Sequence, residues 1–178
     1  EEITLIQKAV DVADNAFNEV AARISPGWTE KQIAWEIEKA AKENGADSIS
    51  FPTIVASGPW GAMPHAQPRD HAIEVGSPIV IDMGVRVNGY CSDMTRTILI
   101  GEPNEKFKHI YNIVLAAQMT VEELICPGMS GAEAHALAVK VIDEAGYSDK
   151  FGHGLGHGVG ILVHESPRLS VGSEDILA

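Results

Sequence analysis

The clearest structural signal in the chain lies at residues 79–99, which read IVIDMGVRVNGYCSDMTRTIL. Both ends of this stretch are rich in β-branched residues, and Asn88-Gly89 near its centre is a favoured two-residue hairpin turn. The pattern therefore predicts two antiparallel strands joined by a tight turn. Each strand also carries an aspartate, Asp82 before the turn and Asp93 after it.

The turn could be centred in two ways, and either way places the two aspartates on one side of the hairpin. With Val87-Asn88 as the centre, Asp82 faces Asp93 directly. With Asn88-Gly89 as the centre, Asp82 faces Thr95, and Asp93 lies two residues away on the same face. Two carboxylates this close repel each other, and aspartate is disfavoured in strands. Bound divalent cations would offset that cost, whereas a solvated strand face or pairing with Arg96 is the alternative explanation.

Helices are predicted on both sides of the hairpin. Apolar residues at helical spacing mark residues 4–22, and the capping-box pattern Thr29-Glu30-Lys31-Gln32 starts a second helix that ends at Asn44-Gly45. Residues 48–57 then read as a strand. The first half is thus predicted as helix, helix, strand and hairpin.

The same pattern recurs 101 residues later. A helix is predicted at about 104–124, Pro26-Gly27 is matched by Pro127-Gly128, and a second capping box begins at Ser130. This agreement favours an internal duplication. If the second half repeats the first, its hairpin should begin near residue 178, so we expect residues 1–178 to form one catalytic domain without its C-terminal hairpin. A divergent second half that ends in a loop is the alternative.

Three of the seven histidines fall within a dozen residues, at His153, His157 and His164. The alternating glycines of this region predict an extended backbone that approaches its neighbours closely, rather than a metal-binding helix. Histidine is a common metal ligand and proton shuttle, although a single histidine is more often structural. His65, on a proline-containing loop before the hairpin, could reach the same cavity, while the remaining histidines are expected to be structural or exposed: His71, His109 and His135.

The overall composition and charge disfavour several classes of partner and cellular location. A formal charge of -12 disfavours nucleic acid and anionic membrane surfaces as partners. Cys91 and Cys126 form no CxxC motif, and the sequence contains neither a signal peptide nor a long apolar run. We therefore expect a cytoplasmic protein with no disulfide framework.

Together these motifs resemble the proline-specific metallopeptidases of the pita-bread fold, the Xaa-Pro dipeptidases and Xaa-Pro aminopeptidases, which are related to methionine aminopeptidase and creatinase. The resemblance implies an α/β (α+β) pita-bread fold with an internal pseudo-two-fold duplication, and a homodimer. The family's additional N-terminal domain would be absent. The resemblance rests on five segments: Ala56-Ser57-Gly58-Pro59 with Pro64-His65, Ile81-Asp82-Met83-Gly84, residues 89–97, residues 153–158, and His164-Glu165-Ser166-Pro167-Arg168.

The resemblance also assigns roles to individual residues. Asp82, Asp93 and His157 would be ligands of two divalent metal ions, with manganese favoured over cobalt, iron or zinc. His65 and His164 would be catalytic without binding metal, and His153 would line the substrate site. Thr95 and Arg96 would support the ligands.

The implied function is removal of the N-terminal residue from peptides with proline in the second position. The family supplies two more glutamate ligands from its second hairpin, and neither Glu165 nor Glu174 matches them. Activity of this chain alone is therefore in doubt. Two alternatives stay open: an inactive pita-bread module that binds peptides or proteins, and a family member that acts on another substrate such as an N-terminal methionine or creatine.

Overall fold

Two units make up the computed structural model, which describes residues 1–178. Unit 1 contains residues 1–103 and 159–163, and unit 2 contains residues 104–158 and 164–178. None of the helices is both long and apolar enough to cross a membrane.

Unit 1 begins with helices α1 (Glu2–Ala21) and α2 (Glu30–Glu43). The predicted capping box of α2 is present, because the Thr29 hydroxyl accepts a hydrogen bond from the Gln32 amide and the Gln32 side chain accepts one from the Thr29 amide. One face of α1 is buried and carries small residues, which allow close packing against the rest of unit 1: Ala9, Ala13, Ala16 and Val20.

Six strands follow in unit 1, and they form two antiparallel sheets of three strands each. The first sheet has the order β1-β4-β5 and the second has the order β2-β3-β6. The strands are β1 (Ser48–Ile49), β2 (Ile54–Ser57), β3 (Pro78–Met83), β4 (Val85–Val87), β5 (Tyr90–Cys91) and β6 (Met94–Leu99).

The prediction of one strand over residues 48–57 was wrong, because β1 and β2 are separate strands that belong to different sheets. Pro52 lies between them and has no amide hydrogen to donate to a sheet ladder. The Ser50 amide instead donates to the Gly84 carbonyl at 2.9 Å.

The hairpin adopts the register centred on Asn88-Gly89. Both turn residues have positive φ angles, 51° and 87°, as this turn requires. Asp82 consequently lies opposite Thr95 rather than opposite Asp93. The hairpin is also interrupted at Gly84, where an added Cβ atom would collide with the Ser92 carbonyl oxygen, so the backbones approach there more closely than any side chain would permit.

Unit 2 contains α3 (Glu105–Leu124), α4 (Gly131–Glu144), β7 (Gly156–Gly158) and β8 (Glu165–Leu169), and its helices confirm the predicted duplication. The first helix of each unit has 20 residues and the second has 14. The second capping box is present as well, with Ser130 and Glu133 as its partners.

Backbone hydrogen bonds extend the duplication beyond the helices. The Glu30 amide donates to the His71 carbonyl in unit 1, and the Gly131 amide donates to the Asp175 carbonyl in unit 2. The donors are 101 residues apart and the acceptors are 104 apart, so unit 2 contains three extra residues between them. The offset of 101 that we used to place a second hairpin near residue 178 is therefore three residues too short for this part of the repeat.

Candidate functional site

Asp82 lies on β3, with its side chain on the face opposite the buried core residues Ile79, Ile81 and Met83. The Thr95 hydroxyl donates a hydrogen bond to the Asp82 carboxylate, with 2.9 Å between Oγ1 and Oδ1. This contact comes from the register, which pairs the two residues across β3 and β6. Thr95 thus restrains the orientation of the Asp82 carboxylate.

Asp93 directly precedes β6 and follows the buried Ser92. The Ser92 hydroxyl accepts a hydrogen bond from the Val85 amide, and its carbonyl accepts one from the Ser50 hydroxyl at 3.0 Å. These bonds fix the backbone on which Asp93 sits. Because Asp93 is two residues from Thr95, side-chain alternation along the strand keeps it on the side of Asp82.

Arg96 makes a different contact from the one expected. Its guanidinium donates a hydrogen bond to the Thr95 backbone carbonyl at 2.9 Å. This bond is made to the backbone of the strand that carries Thr95, not to the carboxylate of Asp82 or Asp93.

His157 is the central residue of β7, and its ring orientation is set by the backbone. The Nδ1 atom lies 3.0 Å from the Gly158 carbonyl oxygen, and a carbonyl can only accept a hydrogen bond. In the tautomer that makes this hydrogen bond, Nδ1 carries the proton, and this is the tautomer suited to metal binding through Nε2. The His164 ring lies beside it, with 4.2 Å between ring centroids.

Only some glycines of this region lie where a neighbouring backbone leaves no room for a side chain. A Cβ atom at Gly158 would lie 2.7 Å from the Ser166 carbonyl carbon on β8, and one at Gly154 would lie 3.3 Å from the Leu169 oxygen. The nearest atom to a Cβ at Gly156 would be a Leu169 methyl at 3.7 Å, an ordinary contact, and no atom lies within 4 Å at Gly152. The prediction is confirmed for Gly154 and Gly158 and wrong for Gly152 and Gly156.

His153 lies in an aromatic cluster of unit 2. Its ring packs edge-on against Phe151 at 4.8 Å, and Phe151 stacks on His135 at 5.4 Å. His135 is buried and its Nδ1 has no hydrogen-bond partner. Burial and, to a lesser extent, the charge of His153 lower the pKa of His135. His153 also borders a largely apolar cavity of about 470 Å³, lined in addition by Ile110, Val114, Tyr147 and Lys150.

His65 is exposed on the loop between β2 and β3, next to the buried Ala66. The base of this loop is held by Glu30, which the sequence patterns did not single out. The Glu30 carboxylate is fully buried and accepts hydrogen bonds from the backbone and side chains of Ser57 and Arg69. Burial raises the pKa of Glu30, but the hydrogen bonds from Arg69 and Ser57 outweigh this and lower it to about 2.

The chemistry of the three predicted ligands suits divalent metal ions. Asp82 and Asp93 belong to unit 1 and His157 belongs to unit 2. Carboxylate oxygens and neutral imidazole nitrogens are ligands for Mn, Fe, Co and Zn. Three side chains do not fill the coordination shells of two ions, so a dinuclear centre needs further ligands.

Residues 4–178 match the model of metallopeptidase family M24. The chain is 46% identical over 177 residues to the Xaa-Pro dipeptidase of Pyrococcus furiosus, covering 99% of this chain and 51% of that protein. The solved prolidase of Pyrococcus furiosus gives a TM-score of 0.96 at 45% identity, covering 99% of this chain and 52% of that one. The X-Pro aminopeptidase of Thermotoga maritima gives 0.96 at 40% identity, covering 99% and 50%. The chain thus spans about half the length of these relatives.

Proposed function

This chain belongs to metallopeptidase family M24, and we propose that it is part of a peptidase that removes the N-terminal residue from peptides with proline in the second position. The observation that carries the proposal is the family match over nearly every residue of the chain. The relatives named for Xaa-Pro cleavage support this substrate class. The α/β pita-bread fold expected from the sequence is confirmed by the same matches.

The family requires divalent metal ions, and we propose that Asp82, Asp93 and His157 are ligands of two of them. The Thr95 hydrogen bond restrains the Asp82 carboxylate, and the Gly158 carbonyl sets the tautomer of His157. Ions bound there would supply Lewis acidity and lower the pKa of a water molecule. Carboxylates in addition to these two aspartates are needed to complete a dinuclear centre.

The remaining histidines have proposed roles that do not involve binding the metal. His164, whose ring lies tilted beside that of His157, and His65, exposed on its loop, would transfer protons or hydrogen-bond the substrate at the scissile peptide. His153 would contact the substrate, since it borders the apolar cavity of unit 2. Manganese, the homodimer and the cytoplasmic location stay predictions.

Metal binding by single variants tests the ligand set. Mn²⁺ affinity is measured by calorimetry for the chain, for a longer form that extends past residue 178, and for Asp82→Asn, Asp93→Asn and His157→Ala in each. Asp70→Asn is the matched control, because Asp70 is an exposed aspartate on the same unit as the two proposed aspartate ligands. Each ligand variant should lose affinity by at least about tenfold, while the control keeps it.

Hydrolysis of Xaa-Pro dipeptides and longer Xaa-Pro peptides, measured on the same forms, tests the activity. We expect hydrolysis by the longer form in the presence of Mn²⁺ and its loss after chelation. If the longer form binds no metal, or if it binds metal and cleaves peptides without regard to proline, the proposal is wrong.

A further inference from the structure

We propose that Glu30 and Arg69 are positioning residues that hold the loop carrying His65 in its working conformation. The inference rests on the proposed catalytic role of His65. It concerns residues outside the metal ligands and the histidines, all of them within unit 1.

Both ends of the loop are attached to one buried carboxylate. At the start of the loop, the Ser57 amide and hydroxyl donate hydrogen bonds to Glu30 Oε1 at 2.8 and 2.7 Å. At its end, the Arg69 amide and Nε donate to Oε2 at 2.9 Å each, and a terminal guanidinium nitrogen donates to Oε1 at 2.7 Å. Residues 58–68 are therefore closed into a loop whose two ends share a single acceptor group.

Contacts inside the loop extend this restraint toward His65. The Arg69 guanidinium lies over the Trp60 ring, 4.7 Å from its centroid, and the Trp60 indole donates a hydrogen bond to the Gln67 carbonyl at 3.2 Å. The Ala66 amide donates to the Met63 carbonyl at 3.2 Å. His65 thus lies between groups that are tied, directly or through Trp60, to Arg69.

The Glu30 carboxylate has no comparable role in its own helix. The N-terminus of α2 is already capped by Thr29 and Gln32, so the helix does not need the Glu30 side chain for its cap. A fully buried carboxylate is also costly unless its partners compensate for lost hydration. Every hydrogen bond recorded for this carboxylate goes to an end of the His65 loop, which indicates that loop geometry is what the buried charge maintains.

The first test observes His65 directly and needs no activity. NMR spectra of isotope-labelled histidine are recorded for the chain and for Arg69→Lys, Glu30→Gln and Lys31→Met, with His65→Gln used for assignment. Arg69→Lys keeps the charge at a partly exposed position and should allow folding, but it removes the two-pronged contact with Glu30 and the stacking on Trp60. Lys31→Met is the matched control, since it removes an exposed ion pair with Asp70 at the same end of the loop.

We expect the His65 signals to shift or broaden in Arg69→Lys and Glu30→Gln but not in the control. The five histidines other than His65 and His71 should stay unchanged in all three variants, whereas His71 is not scored because its carbonyl accepts a hydrogen bond from the Glu30 amide. An unchanged His65 in a folded Arg69→Lys protein would overturn the inference. So would equal shifts of all the histidines, because they would indicate a general loss of structure.

The second test measures kcat and KM on an Xaa-Pro peptide, in the form of the protein that is active. Arg69→Lys should lower kcat by about 10- to 100-fold with little change in KM, as expected for a misplaced catalytic group. In a His65→Ala background the same substitution should have no further effect. A full additional loss in that background would contradict positioning through His65. If His65→Ala alone leaves hydrolysis unchanged, the proposed role of His65 fails, and the NMR result still decides whether Glu30 and Arg69 hold the loop.

Discussion

Replacement of Gly158 by alanine should disrupt the hairpin that carries His157. The new Cβ atom would collide with the Ser166 carbonyl oxygen, and it would lie 2.7 Å from the Ser166 carbonyl carbon and 3.0 Å from the Glu165 carbonyl oxygen. Ordinary contacts begin near 3.4 Å, so β7 and β8 must separate by more than half an ångström, and the atoms in the way are backbone atoms that cannot rotate away. Overpacking of this kind costs about 1–3 kcal/mol in the free energy of unfolding.

Gly156→Ala is the matched control, since it adds the same methyl group two residues earlier on the same strand. Its Cβ atom would meet a Leu169 methyl at 3.7 Å, so this variant should equal or slightly exceed the parent stability. Urea unfolding of the three proteins measures the difference. The displaced Gly158 carbonyl also orients His157, so Mn²⁺ affinity should fall by about tenfold in Gly158→Ala alone. Equal stability of the two variants would refute the close-approach argument.

Three further predictions concern single hydrogen bonds and charges. Thr95→Val removes the hydroxyl that holds Asp82 and should lower Mn²⁺ affinity about tenfold by calorimetry, whereas Thr97→Val on the same strand should not. Because the pKa of Glu30 falls from 4.5 to about 2 on folding, its ionisation stabilises the fold by about 3 kcal/mol above pH 4.5. This contribution should disappear as the pH falls from about 4.5 toward 2, so urea unfolding of Glu30→Gln and the parent should converge there. Burial lowers the pKa of His135 below 6.5, so stability is lost as the pH falls below that value, and His135→Leu should reduce this loss in the same assay.

The helices and the hairpin could be predicted from sequence because their signals are local. Each capping box spans four residues, and Asn88-Gly89 determines its turn through its own backbone angles. The sequence left two registers open for Asp82, and the structure has the one that counting from an Asn88-Gly89 turn predicts. The duplication was visible because both copies retain the same end signals, such as Gly45 and Gly146 after the second helix of each unit.

The features that were missed depend on contacts that the sequence pattern does not reveal, or on a break that neighbouring apolar residues obscure. Glu30 appeared to be part of a capping box, and its burial depends on Arg69, 39 positions later, which no periodic pattern connects to it. The break between β1 and β2 was missed because the apolar pattern of residues 48–57 outweighed the single Pro52. The close approach at Gly158 was foreseen only as a general property of the glycine run, because the sequence does not reveal which glycine faces a carbonyl.

The two units differ at the start of their second helix in how the space beside the helix is filled. The duplication pairs Glu30 with Gly131, and the amide of each donates to a returning backbone segment. In unit 1 the Glu30 side chain also fills the space beside the helix and joins it to Ser57 and Arg69. In unit 2 the backbone itself occupies that space, because an added Cβ at Gly131 would collide with the Arg168 carbonyl.

Glu30 and Gly131 differ because the segments that lie beside α2 and α4 differ. In unit 1 the neighbouring segment is a long irregular loop that needs a buried acceptor for both its ends. In unit 2 the equivalent place is next to β8, a strand that pairs with β7 and needs no such acceptor. A side chain introduced at Gly131 would therefore push against the strand beside His157 instead of organising a loop. The backbone hydrogen bond that both units share keeps the starts of α2 and α4 alike. The residue at this position, Glu30 in unit 1 and Gly131 in unit 2, allows the neighbouring segments to differ.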